Sequence, residues 1–399
     1  MADRAATAER TVPGTPAWLR ARNDRTALEL LLEHGDLTRN QLGELTGLSK
    51  PTASQMVQRL EAAGLVTASG SQSAGPGPNA STYAVRKDAG VGVAIDFDAR
   101  RVRTCVVDAT GTEHAPVEVT LPRSRRTPEG DVRQAIVAAT SAAGIDPALI
   151  GSVCIGVPGA VDPRTGDLRF ADALAGWPTR DVAVRLQDSL GLDVTIENDV
   201  NLAAIAERTA GAGRGTGGFA LLWLGPGLGL AVDQAGTLQR GASGGAGEIG
   251  YLPVPRTAIS LDPDARELQD LIGGIQVTAL TRDAGASCRT YRDAISALTR
   301  NPDLRARVTE RLAPRVAAGL VAVLALLDPE RIVLGGATGA ALGPGLATAV
   351  AAHLKAGTAW DPDIAVTGIP TAPVLAGARE HLTAALQASL FERLDRVTP

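Results

Sequence analysis

The sequence predicts a mixed α/β chain in two unequal parts: a small, mainly helical front unit, then a larger two-lobed α/β body with a cleft between its lobes. Three observations lead there. Residues 38–66 hold two short, capped helical patterns hinged at a glycine. From residue 91 the texture changes to short apolar strands punctuated by glycine. Three strands, a helix and a strand over 91–157 are then echoed further along the chain, the pattern of stacked α/β layers. At 399 residues the chain also exceeds what one core usually holds.

The front unit is read from residue 38. Thr38 can cap the first helix, and Gln41 three residues later can reach back to complete a capping box. Gly47 is the hinge, Ser49 can cap the second helix, and Pro51 falls in its first turn, where a missing N–H is harmless. Ala53, Met56, Val57 and Leu60 repeat at three- and four-residue spacing and mark the buried stripe. Lys50, Thr52, Gln55, Gln58 and Arg59 are left outside, with Ser49 at their head and Arg39 opening the preceding helix. That face is short, polar and cationic, the composition of a helix that donates to base edges and phosphates in the major groove of double-stranded DNA. The alternative is a helical pair with a solvated charged face; two caps, a glycine turn and a following strand together favour DNA.

A supporting helix is expected at 23–34, with Ala27, Leu28, Leu31 and Leu32 apolar, after a disordered lead at 1–17. A strand at 65–67 and its return at 83–85 enclose the Ser-, Gly-, Pro- and Asn-rich stretch 69–82, the place for the wing of a winged helix-turn-helix spanning 18–87. This wing has no Lys or Arg and should add little, while Arg86 and Lys87 read as solvated charges. Residues 1–88 carry ten Lys/Arg and nine Asp/Glu, but the remainder carries 29 and 34. Only the front can therefore approach phosphate without general repulsion.

In the body, strands are expected at 91–95, 103–107 and 117–119, a helix at 131–143 and a strand at 152–157. A strand at 194–196 runs into Glu197-Asn198-Asp199-Val200-Asn201, and a hairpin at 219–232 turns through Gly225-Pro226-Gly227-Leu228. A glycine-rich turn at 241–250, a helix at 316–327, a strand into Gly335-Gly336 and a last helix at 376–394 complete it. The first lobe is expected over 88–200 plus the last helix, and the second over 201–375. Cys105, Cys154 and Cys288 lie far apart without metal-ligand spacing and read as reduced structural thiols. No apolar run approaches a membrane span, and no apolar segment follows a basic N-terminus, so a cytoplasmic protein is expected.

Five segments in order resemble the ROK family of sugar-responsive repressors and sugar kinases: Thr46-Gly47-Leu48-Ser49, Gly156-Val157-Pro158-Gly159, Glu197 to Asn201, Gly247-Glu248-Ile249-Gly250 and Val333-Leu334-Gly335-Gly336. The resemblance covers roughly residues 20–395 and implies an actin-like ATPase (ribonuclease H-like) fold for the body. The leading winged helix-turn-helix is similar to the repressor branch. By the same resemblance Asn198 and Asp199 would hydrogen-bond sugar hydroxyls, with Asp199 at the kinases' general-base position. Glu248 would be another hydroxyl ligand, Gly159 a backbone contact, and Tyr251 stands where the family has a zinc-binding histidine. On residues alone, Asn198 and Asp199 read first as a helix cap.

The chain departs from the kinase pattern in three places. The family's Asp-x-Gly-Gly-Thr, whose glycines admit phosphate, is here Asp96-Phe97-Asp98-Ala99-Arg100. The second phosphate loop, Gly-Thr-Gly-x-Gly, is Gly225-Pro226-Gly227-Leu228-Gly229, where proline removes a hydroxyl and an N–H. The zinc segment has lost its cysteines across 252–270, so no metal and no other cofactor is expected, and either Glu267 or Gln269 could replace the family's last sugar glutamate. The resemblance thus implies a DNA-binding repressor without catalytic residues, working as a homodimer or dimer of dimers, with a sugar or small-metabolite effector and no membrane. A sugar kinase with a DNA-binding appendage and a regulator with a vestigial cleft are the alternatives.

Overall fold

A computed structural model describes residues 14–72, 79–98, 101–122, 126–171, 174 and 176–397. The expected lead up to residue 13, the wing tip at 73–78, and Ala99 and Arg100 lie outside the described residues. The front unit is built as its caps and spacing dictate. Helices Pro16–His34, Arg39–Thr46 and Lys50–Ala62 pack on a three-stranded sheet of Leu37–Thr38, Ala80–Val85 and Val66–Gln72, with Ala80–Val85 central. Thr38 and Gln41 form the capping box, Gly47 takes the left-handed conformation, and Ser49 caps the third helix. Ala53, Met56, Val57 and Leu60 are fully buried. The first helix starts earlier than the apolar spacing suggests, because Thr15 accepts from the Trp18 N–H at 3.2 Å and Pro16 needs no donor there.

The first-lobe sheet runs in the order Asp193–Asn198, Ile150–Val157, Val91–Asp98, Arg101–Asp108, Val117–Thr120. Its first three strands are parallel and its last two antiparallel to their neighbours. Alternation decides which face each residue serves. Val93, Ile95, Val153 and Ile155 face helices Pro128–Ala143 and Val182–Leu190, while Ala94, Cys105 and Cys154 face the C-terminal helix Pro373–Val397. The second-lobe sheet repeats the plan with Thr237–Leu238, Leu228–Gln234, Gly218–Leu224, Arg331–Gly335 and Asp363–Val366.

Helix Asp199–Ala210 belongs to both lobes. Leu202 sits in the cluster with Ala94 and the C-terminal helix, whereas Val200, Ala203 and Ala204 pack on Phe219, Leu221 and Val333 of the second sheet. The boundary expected at residue 200 therefore falls at the start of a shared wall. The lobes are also tied by Arg240, whose guanidinium donates to the buried Glu197 carboxylate at 2.7 Å. The helix expected at 316–327 begins at Pro302 and continues through Pro314, whose neighbours Leu312, Ala313 and Val316 are fully buried; packing outweighs the lost hydrogen bond. Cys105, Cys154 and Cys288 are buried free thiols. No helix among the described residues is long and apolar enough to cross a membrane.

Candidate nucleic-acid interface and ligand cleft

The third front helix presents Ser49, Lys50, Gln55 and Gln58 to solvent. The Ser49 and Thr52 hydroxyls share a hydrogen bond at 2.8 Å, which leaves Thr52 half-buried at the helix start. Arg59 is a correction to the expected face. Its guanidinium donates to both oxygens of Asp24, at 2.8 Å and 2.5 Å, and Asp24 is fully buried in the first helix. A charge without water needs a partner, so Arg59 serves the fold and is not available to phosphate. Arg39 is half-buried, its guanidinium lying 4.7 Å over the Tyr83 ring. Arg86 pairs with Asp88 at the surface.

Between the lobes lies a cleft of about 870 Å³. Asn198, Asp199, Gly159, Glu248 and Tyr251 all line it, as does Gln269, whereas Glu267 is not among the lining residues and its backbone N–H donates to the Asp270 carboxylate at 3.1 Å. Asn198 does two jobs at once. Its side-chain carbonyl caps the shared helix by accepting from Asn201 N at 3.0 Å, and its amide donates to the Gly159 carbonyl at 3.0 Å. One N–H and one lone pair remain for a ligand. Asp199 accepts from the Val200 N–H at 2.8 Å through one oxygen, leaving the other toward the cleft. Gly159 has φ +148, and a Cβ there would meet the Arg169 carbonyl at 2.9 Å, so the strand pair Ala160–Val161 and Leu168–Arg169 can close on it only without a side chain.

Acidic groups dominate the cleft. Burial pushes the Asp199 carboxyl up to about 7, with the charges of Asp96 and Glu248 adding to it. Asp96 is pushed up to about 6 by burial, opposed by Arg103 at 3.4 Å and reinforced by Asp98. Burial also raises Glu248. Both aspartates bind protons in the folded chain that the unfolded chain releases, so their contribution to stability is complete below about pH 4 and is lost as pH rises through about 6 to 7. Asp199→Asn keeps the acceptor for Val200 and removes the charge. Its melting temperature relative to the parent should rise progressively from about pH 4 to about pH 7; a difference that stays flat with pH would contradict this assignment.

On the opposite wall the 225–229 turn is held by hydrogen bonds inside the protein. Gly225 N–H donates to the Gly227 carbonyl at 3.0 Å, and Leu228 N–H donates to Gln269 Oε1 at 2.6 Å. The Pro226 carbonyl accepts from Gly274 N–H at 3.2 Å and Gln269 Nε2 at 3.1 Å. Among the described residues no cluster of His, Cys, Asp and Glu is placed to hold a metal ion, and Tyr251 with the cysteine-free stretch after it does not fit a zinc site.

Sequence reasoning missed Phe170, Gln269 as the loop's anchor, and Tyr291. Phe170 stacks against Tyr251 with ring centroids 4.9 Å apart. Tyr291 bonds to Thr338 at 2.8 Å and lines the far end of the cleft. None sits in a spaced motif; an aromatic in a loop of a chain with four Phe and three Tyr was the available signal.

Comparison with known proteins agrees with this geometry. A model described as the ROK family matches residues 92–362, and one described as the MarR family matches 22–75. The xylose repressor of Bacillus subtilis is 23% identical over 316 residues, covering 78% of this chain and 81% of that protein. A β-glucoside kinase of Listeria monocytogenes is 28% identical over 193 residues, 47% of this chain and 64% of the kinase. A Clostridium perfringens protein of uncharacterised role is 30% identical, and the matched region covers 62% of its length. Among solved structures, a ROK family transcriptional regulator described as a homologue of the E. coli Mlc protein superposes with TM-score 0.68 at 16% identity over 95% of this chain and 99% of that one. A ROK family glucokinase from Streptomyces griseus gives 0.59 at 22% identity over 73% of this chain and 99% of that one.

Proposed function

We infer that this chain, which belongs to the ROK family and carries a MarR-type winged helix at its front, is a transcriptional regulator that binds operator DNA. The observation that carries the reading is the exposed polar edge of helix Lys50–Ala62, where Lys50, Gln55 and Gln58 project from a firmly capped frame. Glutamine can contact adenine through two hydrogen bonds, and lysine can meet phosphate or guanine. We propose that it acts as a repressor in the cytoplasm, as a homodimer or dimer of dimers whose front units meet the half-sites of an inverted repeat.

The cleft, in this proposal, receives a sugar or related metabolite and transfers nothing. Support comes from the 225–229 turn, whose Gly225 and Leu228 N–H groups are already bonded inside the protein, and from Asp96 and Asp98 on the facing wall. Phosphoryl transfer depends on positioned donors for phosphate oxygens, and acidic groups oppose them. A ligand that prefers one lobe arrangement would shift the DNA-binding population by its difference in affinity for the two states.

Two substitutions test the reading helix. Lys50→Ala should weaken binding to all DNA and lower the salt slope by about one unit. Gln55→Ala should lose about 1–3 kcal/mol on a selected operator while leaving non-specific binding unchanged. Fluorescence anisotropy at several salt concentrations separates the two; identical behaviour of both variants and the parent would remove this helix from the interface.

A further inference from the structure

We propose that Phe170 and Tyr251 form an aromatic clamp that stacks on the second ring of a glycoside, so that the effector is a sugar bearing an aryl group or another ring. This rests on the effector reading above and narrows it. One ring comes from each lobe: Phe170 follows the first-lobe strand Leu168–Arg169, and Tyr251 ends the short helical turn after Glu248 in the second. They meet at 4.9 Å with planes inclined by 37°, yet Phe170 stays 49% and Tyr251 53% exposed, and both line the cleft. A large apolar ring left half in water at a pocket wall marks a binding surface.

The backbone is shaped for this. Phe170 holds φ +55, a left-handed conformation unusual for a bulky residue, and the absence of a side chain on Gly159 lets its segment close in. The same Gly159 receives the Asn198 amide, which sets the Phe170 segment beside one of the hydroxyl-binding groups. At about 870 Å³ the cleft is near the upper end of the roughly 300–1,000 Å³ range for small-ligand sites, roomy for more than one ring. Of the two arginines lining the cleft, Arg103 is paired with Asp96 and Glu118, and Arg292 is exposed beside Tyr291. Sugar hydroxyls go to Asp199, Asn198 and Glu248, and the apolar ring goes to the clamp.

Isothermal titration of the full chain tests this with D-glucose, D-xylose and N-acetyl-D-glucosamine, each against its phenyl β-glycoside. The expected result is at least about tenfold tighter binding of one phenyl glycoside than of its parent sugar, which stacking of about 1.4 kcal/mol would give. Phe170→Gly, which keeps the left-handed backbone open, and Tyr251→Ala should bring that ratio toward one; Tyr251→Phe should preserve it. A ratio of one in the parent protein, or an unchanged ratio in Phe170→Gly, overturns the clamp and leaves the effector reading standing. Silence toward all six compounds overturns both.

Discussion

Replacing Arg59 by alanine is expected to destabilise the front unit by about 3 kcal/mol, by stranding the fully buried Asp24 carboxylate. The value lies at the lower end of the range for broken buried pairs, because the Arg59 side chain keeps 32% of its surface in water. Lysine should not restore the loss, since the two oxygens of Asp24 are met by the two-pronged guanidinium. Changing both partners to well-packed apolar residues, Asp24→Leu with Arg59→Met, should be close to neutral. Urea unfolding of the full chain, followed by tryptophan fluorescence, reads these differences. Equal stability of Arg59→Ala and the parent would mean that the pair is not formed in solution.

Gly377→Ala should cost about 3 kcal/mol or more, although alanine normally improves a helix by about 1 kcal/mol. Gly377 lies where helix Pro373–Val397 crosses the shared helix, and a Cβ there would stand 1.7 Å from the Leu202 carbonyl oxygen. That obstacle is backbone within a helix and cannot swing aside. Gly345, in helix Pro344–Gly357, has nothing within 4 Å of the same added atom, and Gly345→Ala should be neutral or slightly stabilising. The contrast separates close helix contact from propensity. A Gly377→Ala variant as stable as Gly345→Ala would show that the helices do not meet this closely.

The crossing also joins the cleft wall to the helix that packs on the front unit. The shared helix begins at Asp199 in the cleft, and the C-terminal helix it touches ends at the front unit. There Arg25 lies 4.4 Å over the Phe391 ring, and Arg393 donates to the Ala89 carbonyl at 2.5 Å. Asp24, the neighbour of Arg25, holds Arg59 of the reading helix.

What the sequence disclosed divides along the range of the forces involved. Capping, helix spacing and strand alternation are local, and so Thr38 with Gln41, Ser49, the buried stripe and the first-lobe strands are all legible in the sequence. Arg59 was misread because its partner lies 35 residues away, and nothing in a helical face distinguishes a solvated arginine from one committed to a distant carboxylate. The contact between Phe170 and Tyr251 was invisible because the two rings come from different lobes. Gln269 could not be separated from Glu267 until the 225–229 turn came to rest on it. For Asn198 the capping reading holds, since its side-chain oxygen accepts from Asn201 N, and the same residue lines the cleft.

The central claim is that the front of this chain recognises a particular DNA sequence. The most direct measurement selects bound fragments from a random-sequence pool, then titrates the selected duplex and a scrambled duplex of the same composition at about 150 mM salt. A preference of about a thousandfold or more for the selected duplex is the predicted result. Equal affinity for the two, falling together as salt is raised, would contradict it.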